Sequence, residues 1–139
     1  MKIIIFTLLF ICCFVSFIFA GHLNPEKYYT DIGCSKLKGI SNHFINGVFV
    51  DCVTTTEAIE FEFPEKWAEG IGQSLYYGYI MKKIPTIVFI VETKEELKYI
   101  QRVSPILFKY GIKVYTMSNT VFGIDALIIP VDIINIPIE

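Results

Sequence analysis

The stretch GVFVDCVTTTEAIEFEFP, residues 47–64, decides the fold. Residues 47–53 and 58–63 are rich in β-branched and aromatic side chains, and the polar Thr54-Thr55-Thr56-Glu57 between them reads as a hairpin loop. Pro64 ends the second strand. The period of two puts Ile59, Phe61 and Phe63 on one face of that strand, and Ala58, Glu60 and Glu62 on the other. If the loop is centred between Thr55 and Thr56, antiparallel partners have numbers that sum to 111, which sets Asp51 opposite Glu60. Three carboxylates then converge. Like charges across a strand pair are unfavourable, so such a cluster raises its pKa values, binds a cation, or is a solvated polar face on an edge hairpin. Hard oxygen ligands of this kind suit Mg²⁺ or Mn²⁺.

Downstream of the hairpin, residues 65–83 read as a helix with acidic residues in the first turn and Lys82-Lys83 in the last. At 100° per residue, Lys66, Gln73 and Tyr77 fall within about 40° of one another with Gly70 close by, while Trp67, Ile71, Ser74 and Gly78 form a neighbouring stripe. A helix packed through Trp67 and Ile71 would aim Lys66 near the carboxylates, and Gln73 and Tyr77 toward a bound substrate. The alternative is an amphipathic helix whose polar side is simply wet. Gly70, Gly72 and Gly78 each weaken a helix by about 1 kcal/mol relative to Ala, which points to close packing or close substrate approach.

Farther along, TIVFIVE at 86–92 is a continuous apolar run, the mark of a strand buried on both faces. A helix from Lys94 to about Tyr110 ends at Gly111, and KVYTM at 113–117 forms another strand. Upstream, residues 22–38 are polar and mixed, with a helix capped by Asn24 and carrying Pro25 in its first turn. The element order is helix, two or three strands, helix, strand, helix, strand. It predicts an α/β (α+β) fold whose mixed central sheet is antiparallel at the hairpin and parallel beyond the first crossover. The Ile- and Pro-rich segment 121–139 receives no assignment.

At 139 residues the chain has room for a single domain. With 53% hydrophobic and 15% aromatic residues against 19% charged, it is too apolar for disorder. The formal charge of -2, from 12 Lys+Arg against 14 Asp+Glu, gives no basic field for bulk binding of nucleic acid. Met1-Lys2, the apolar run Ile3 to Phe19 and Ala20-Gly21 have the layout of a signal peptide cut after Ala20, leaving 21–139 as one exported domain, periplasmic or secreted. Uncut, the segment would be a membrane anchor. Export leaves Cys34 and Cys52 as a pair in an oxidising compartment, where a bridge would be worth about 3 kcal/mol; two buried free thiols are the alternative. A zinc site drawing His22 and His43 to these cysteines lacks the usual ligand spacing. Both histidines read as surface or turn residues. No nucleophile elbow, phosphate-cradling glycine loop or dinucleotide fingerprint is present, so no organic cofactor is expected.

The segments Val50-Asp51-Cys52-Val53, Ala58 to Phe63 and Lys66 to Tyr77 together resemble the PD-(D/E)XK nuclease superfamily, most closely its small members with a Gln-x-x-x-Tyr helix. The likeness covers about residues 30–117 and implies a restriction-endonuclease-like core. It sets the two metal-binding acids on Asp51 and Glu60 and the Gln-x-x-x-Tyr pair on Gln73 and Tyr77. The family's lysine two residues after the second acid is replaced by Glu62, and Val50 stands where a proline precedes the first acid. Lys66 matches the migrated lysine that some members carry on the next helix. The resemblance implies Mg²⁺- or Mn²⁺-dependent phosphodiester hydrolysis in nucleic acid, DNA in preference to RNA, with Asp51, Glu60, Glu62 and Lys66 catalytic and Gln73 and Tyr77 binding substrate. The other reading is a non-catalytic exported binding module on the same fold.

Overall fold

Thr54 closes the central hairpin in the computed structural model, which describes residues 21–118 and 127–130. Its hydroxyl accepts the backbone N–H groups of Thr56 at 3.3 Å and Glu57 at 3.0 Å, a local turn bond that lets the chain reverse. Strand β2 (Val48–Val53) and strand β3 (Glu57–Glu62) pair antiparallel, Cys52 with Ile59 and Val53 with Ala58. These are the partners expected from the loop centre. On its other side β2 pairs antiparallel with β1 (Ile40–Ile45) through the two-residue turn Asn46-Gly47. Both turn residues have positive φ, 49° and 84°, as a hairpin turn that matches strand twist requires.

Helix α2 (Trp67–Met81), entered through a short 3₁₀ turn at Pro64–Lys66, carries the chain from β3 to the parallel strand β4 (Ile84–Val91). Helix α3 (Leu97–Lys109) does the same from β4 to β5 (Lys113–Ser118). Successive crossovers running the same way along a sheet bring their helices to one face, and α2 and α3 share a core there with Ile87, Phe89 and Val114. The opposite face is covered by α1 (Glu26–Lys36), whose Tyr29 and Cys34 pack with Ile59, Phe61, Phe63, Val88 and Ile90. Strand β4 is thus buried on both faces, as its uninterrupted apolar run demands. The result is a six-stranded mixed sheet in the order β1-β2-β3-β4-β5-β6 between helical layers.

Two readings need amendment. Asn24 does not cap α1: the N-cap position is Pro25, without a side-chain bond, and the Asn24 amide donates to Tyr29 Oη at 3.3 Å. The residue is diverted because Tyr29, one turn into the helix, offers its side chain a partner. The unassigned tail contributes a strand, β6 (Leu127–Pro130), antiparallel to β5. The expected Cys34–Cys52 disulfide is present and ties α1 to β2, in place of two free thiols. That bridge belongs to an oxidising environment. The leader at 1–20 lies outside the described residues, and among those described no helix is long and apolar enough to cross a membrane.

Candidate functional site: a carboxylate cluster at the β2–β3 seam

The β2–β3 ladder stops after two residue pairs. At the next position, Asp51 uses its side chain where a strand would use its backbone: Oδ2 accepts the Phe61 N–H at 3.0 Å. Burial pushes the Asp51 carboxyl up to about 6; the Phe61 N–H opposes the rise, the carboxylate of Glu26 adds to it, and Lys27 lowers it. A cleft of about 200 Å³ opens here, lined by Asp51 together with Glu26, Thr30 and Asp31 of α1 and Ser41 and Asn42 of β1.

On the face of β3 that meets α2, Glu60 and Glu62 are 4% and 2% exposed. A carboxylate removed from water in this way must be paired, protonated or bound to a cation. Among the described residues Glu60 has no cationic partner. One of its oxygens, Oε2, is buried with no hydrogen bond to any described residue. Burial, and then the charges of Asp51, Glu62, Glu26 and Glu69, raise its carboxyl to about 10. Glu62 is raised to about 7 by burial and by Glu26, partly offset by the Phe63 N–H and by Lys66. The Phe63 bond spans 2.9 Å, whereas the half-exposed Lys66 Nζ stands 3.7 Å from Glu62 Oε1. Lys66 therefore lies at the rim, beside Glu62.

Helix α2 can approach this face because Gly70 lacks a side chain: a Cβ there would stand 3.2 Å from Cβ and Cγ of Glu62. Gly78 serves likewise against Pro85, while Gly72 meets nothing. One turn past Gly70, Gln73 hydrogen-bonds the Tyr77 phenol, and its own Oε1 is left buried without a partner among the described residues. Burial and the nearby charges of Glu60 and Asp51 raise the Tyr77 hydroxyl. Trp67 and Ile71 pack against the core shared by α2 and α3. The helix thus seats its apolar stripe in that core and turns Gln73 and Tyr77 to the carboxylates.

Asp51 and Glu62 both lie within electrostatic reach of Glu60, Tyr77 feels the charges of Glu60 and Asp51 and bonds Gln73, and Lys66 stands beside Glu62. Two contributors escaped the sequence reading. Glu26, at the first turn of α1, acts on all three central acids, and Glu69 adds to the field at Glu60. Nothing in the local pattern marks Glu26, since an acid in a first turn is ordinary helix chemistry. Glu57, by contrast, is a buried acid already engaged with the Lys113 ammonium and the Tyr115 hydroxyl. His43 is a half-buried residue of β1, and His22 is at the surface. Among the described residues, the ligand atoms of Asp51, Glu60, Glu62 and Glu26 do not converge to within 4.8 Å of one another as those of His22, Glu92 and Glu96 do. The chemistry of the four carboxylates is all-oxygen, the kind that Mg²⁺ or Mn²⁺ takes, and one Glu60 oxygen has no hydrogen bond to any described residue. Against family models, curated proteins and solved structures, the chain finds no significant match.

Proposed function

We propose that the chain is an exported, metal-dependent nuclease of the PD-(D/E)XK kind, with Mg²⁺ or Mn²⁺ held by Asp51 and Glu60 and assisted by Glu62. The observation that carries this reading is the Glu60 carboxyl, buried among other acids with one oxygen unpartnered among the described residues. A hard cation would let Glu60 give up its proton and would offset the repulsion from Asp51 and Glu62. When bound, such an ion activates water and neutralises charge growing on a scissile phosphate.

The remaining chemistry is the chain's own. Lys66, half exposed at the rim, would orient the attacking water or stabilise the phosphate oxygens. Tyr77 and Gln73 would hold the nucleic-acid backbone by hydrogen bonds, which place a substrate without reading its sequence. With a formal charge of -2, affinity would depend on local lysines and the metal. DNA is preferred to RNA in this reading.

A second reading, a cation-binding module without catalysis, draws on the pairing of Lys66 with Glu62, which turns the ammonium toward a carboxylate. Incubation of the purified protein with plasmid, single-stranded DNA and RNA in Mg²⁺, Mn²⁺ and EDTA, beside Glu60→Ala, separates the two. Metal-dependent cleavage that the variant loses supports the enzyme. A folded, metal-binding protein that leaves every substrate intact supports the module.

A further inference from the structure

A second group of metal-ligating side chains lies just past the carboxyl end of β4, with a different donor chemistry. Its cleft, of about 500 Å³, is lined by His22, Glu65, Glu92, Glu96 and Tyr99 among others. We propose that His22, Glu92 and Glu96 form a site for a first-row transition-metal ion of the Zn²⁺ type, separate from the carboxylate cluster at the β2–β3 seam.

The imidazole is held on both sides. Its ring stacks on Phe63 with centroids 3.3 Å apart and planes 8° from parallel. Nε2 meets Glu65 Oε1 at 2.9 Å. A carboxylate on one ring nitrogen favours the proton there and leaves the other nitrogen's lone pair for a metal. That other nitrogen, Nδ1, stands 3.2 Å from Glu92 Oε2. Two ligands on a tetrahedral ion with bonds of about 2.0–2.1 Å lie about 3.3 Å apart, so this pair already has the spacing of one coordination edge. One ligand atom from each of His22, Glu92 and Glu96 lies within 4.8 Å of the others.

The two carboxylates are also fixed from behind. Glu92 accepts the Tyr29 hydroxyl at 2.6 Å and the Leu23 N–H at 3.0 Å. Glu96 accepts the N–H groups of Glu92 at 2.7 Å and Thr93 at 3.1 Å, closing a capping box with Thr93. Side chains anchored in this way need little ordering when an ion arrives. One imidazole nitrogen with two carboxylate oxygens favours Zn²⁺ or Co²⁺ over Mg²⁺ and Ca²⁺, which prefer oxygen alone. Three protein ligands leave a coordination position to water.

The test is titration of the full-length protein with Co²⁺ and Zn²⁺ in excess Mg²⁺, which occupies an all-oxygen site. One equivalent of Co²⁺ should bind and develop the visible absorption of a low-coordinate ion, and Zn²⁺ should displace it. His22→Phe keeps a ring on Phe63 and should weaken binding about 100-fold, while Glu65→Gln, touching only Nε2, should weaken it about tenfold. Glu96→Gln preserves the capping box and should also weaken binding. Asp51→Asn should leave it unchanged. The proposal is overturned if the wild type takes up no Co²⁺, if Mg²⁺ displaces the ion, or if a folded His22→Phe or Glu96→Gln protein binds as tightly as the parent.

Discussion

The Asp51 carboxylate accepts the Phe61 backbone N–H at 3.0 Å, one position beyond the last ladder pair of β2 and β3. A side chain thus does the work of a strand where the strands part, and the carboxylate is held at the seam, within electrostatic reach of Glu60 on the neighbouring strand. The consequence is a folded state that retains protons the unfolded chain would release.

This consequence can be measured as a dependence of stability on pH. Asp51 is raised from 3.8 to about 6, Glu62 from 4.5 to about 7 and Glu60 from 4.5 to about 10. For a carboxyl raised on folding, the stabilisation is complete below the unfolded pKa and is lost as pH climbs toward the folded value. In EDTA the melting temperature should therefore fall steadily between about pH 5 and about pH 9. Glu92 is lowered, and its contribution is lost only as pH falls below the ordinary carboxylate range; Lys113 is raised, and its contribution is lost only above the ordinary lysine range. Neither interferes in the window. Glu60→Gln should flatten the slope and raise the melting temperature at the alkaline end, and Mg²⁺ should restore the parent. A flat profile in EDTA would contradict the burial argument.

The disulfide gives a second expectation. Cys34 and Cys52 are 18 residues apart in sequence and join α1, which carries Glu26, to β2, which carries Asp51. Reduction, or Cys34→Ser with Cys52→Ser, should lower the free energy of unfolding by about 3 kcal/mol in denaturant titrations. Divalent-cation affinity at the cluster should fall as well, because the bridge fixes the helix that supports it.

How far the sequence reached is clearest along the hairpin. Its register was legible because the loop is short and one face is apolar, so a slip by one residue would bury the acids differently on every pair. The first strand was less distinct, although Asn46-Gly47 between residues 45 and 48 is a strong hairpin signal that locates it. Glu26 was out of reach, since it joins the cluster through the tertiary docking of α1 rather than through any spacing to Asp51. Strand β6 was hidden for a related reason: an Ile-rich tail carries no period that separates a pairing strand from a loop.

Three glycines make a stability series. Gly72 has open space around it, so Gly72→Ala should stabilise the protein by up to about 1 kcal/mol through helix propensity. Gly33→Ala would drive a Cβ into the ring of the buried Phe61 and should cost about 1–3 kcal/mol. Gly70→Ala should fall between them in stability, because the gain in propensity meets a contact of 3.2 Å with Glu62. Its distinctive effect should be on metal binding, measured by calorimetry, as Glu62 is pushed from its place.

Lys66 decides whether the proposed chemistry runs. Its ammonium is half exposed and 3.7 Å from Glu62 Oε1, a pairing worth only about 0–1 kcal/mol at a surface. Lys66→Ala should therefore melt close to the parent and bind divalent cations with similar affinity. If the ammonium acts on water or on the phosphate, the same variant should lose about 100-fold in cleavage rate, with part of the loss recovered by Lys66→Arg. Single-turnover cleavage under saturating metal separates this from weaker binding, because only a transition-state contact lowers the rate constant once substrate is bound. An active parent whose Lys66→Ala variant cleaves at full speed would remove Lys66 from the mechanism and leave the buried acids and their ion as the whole catalytic apparatus.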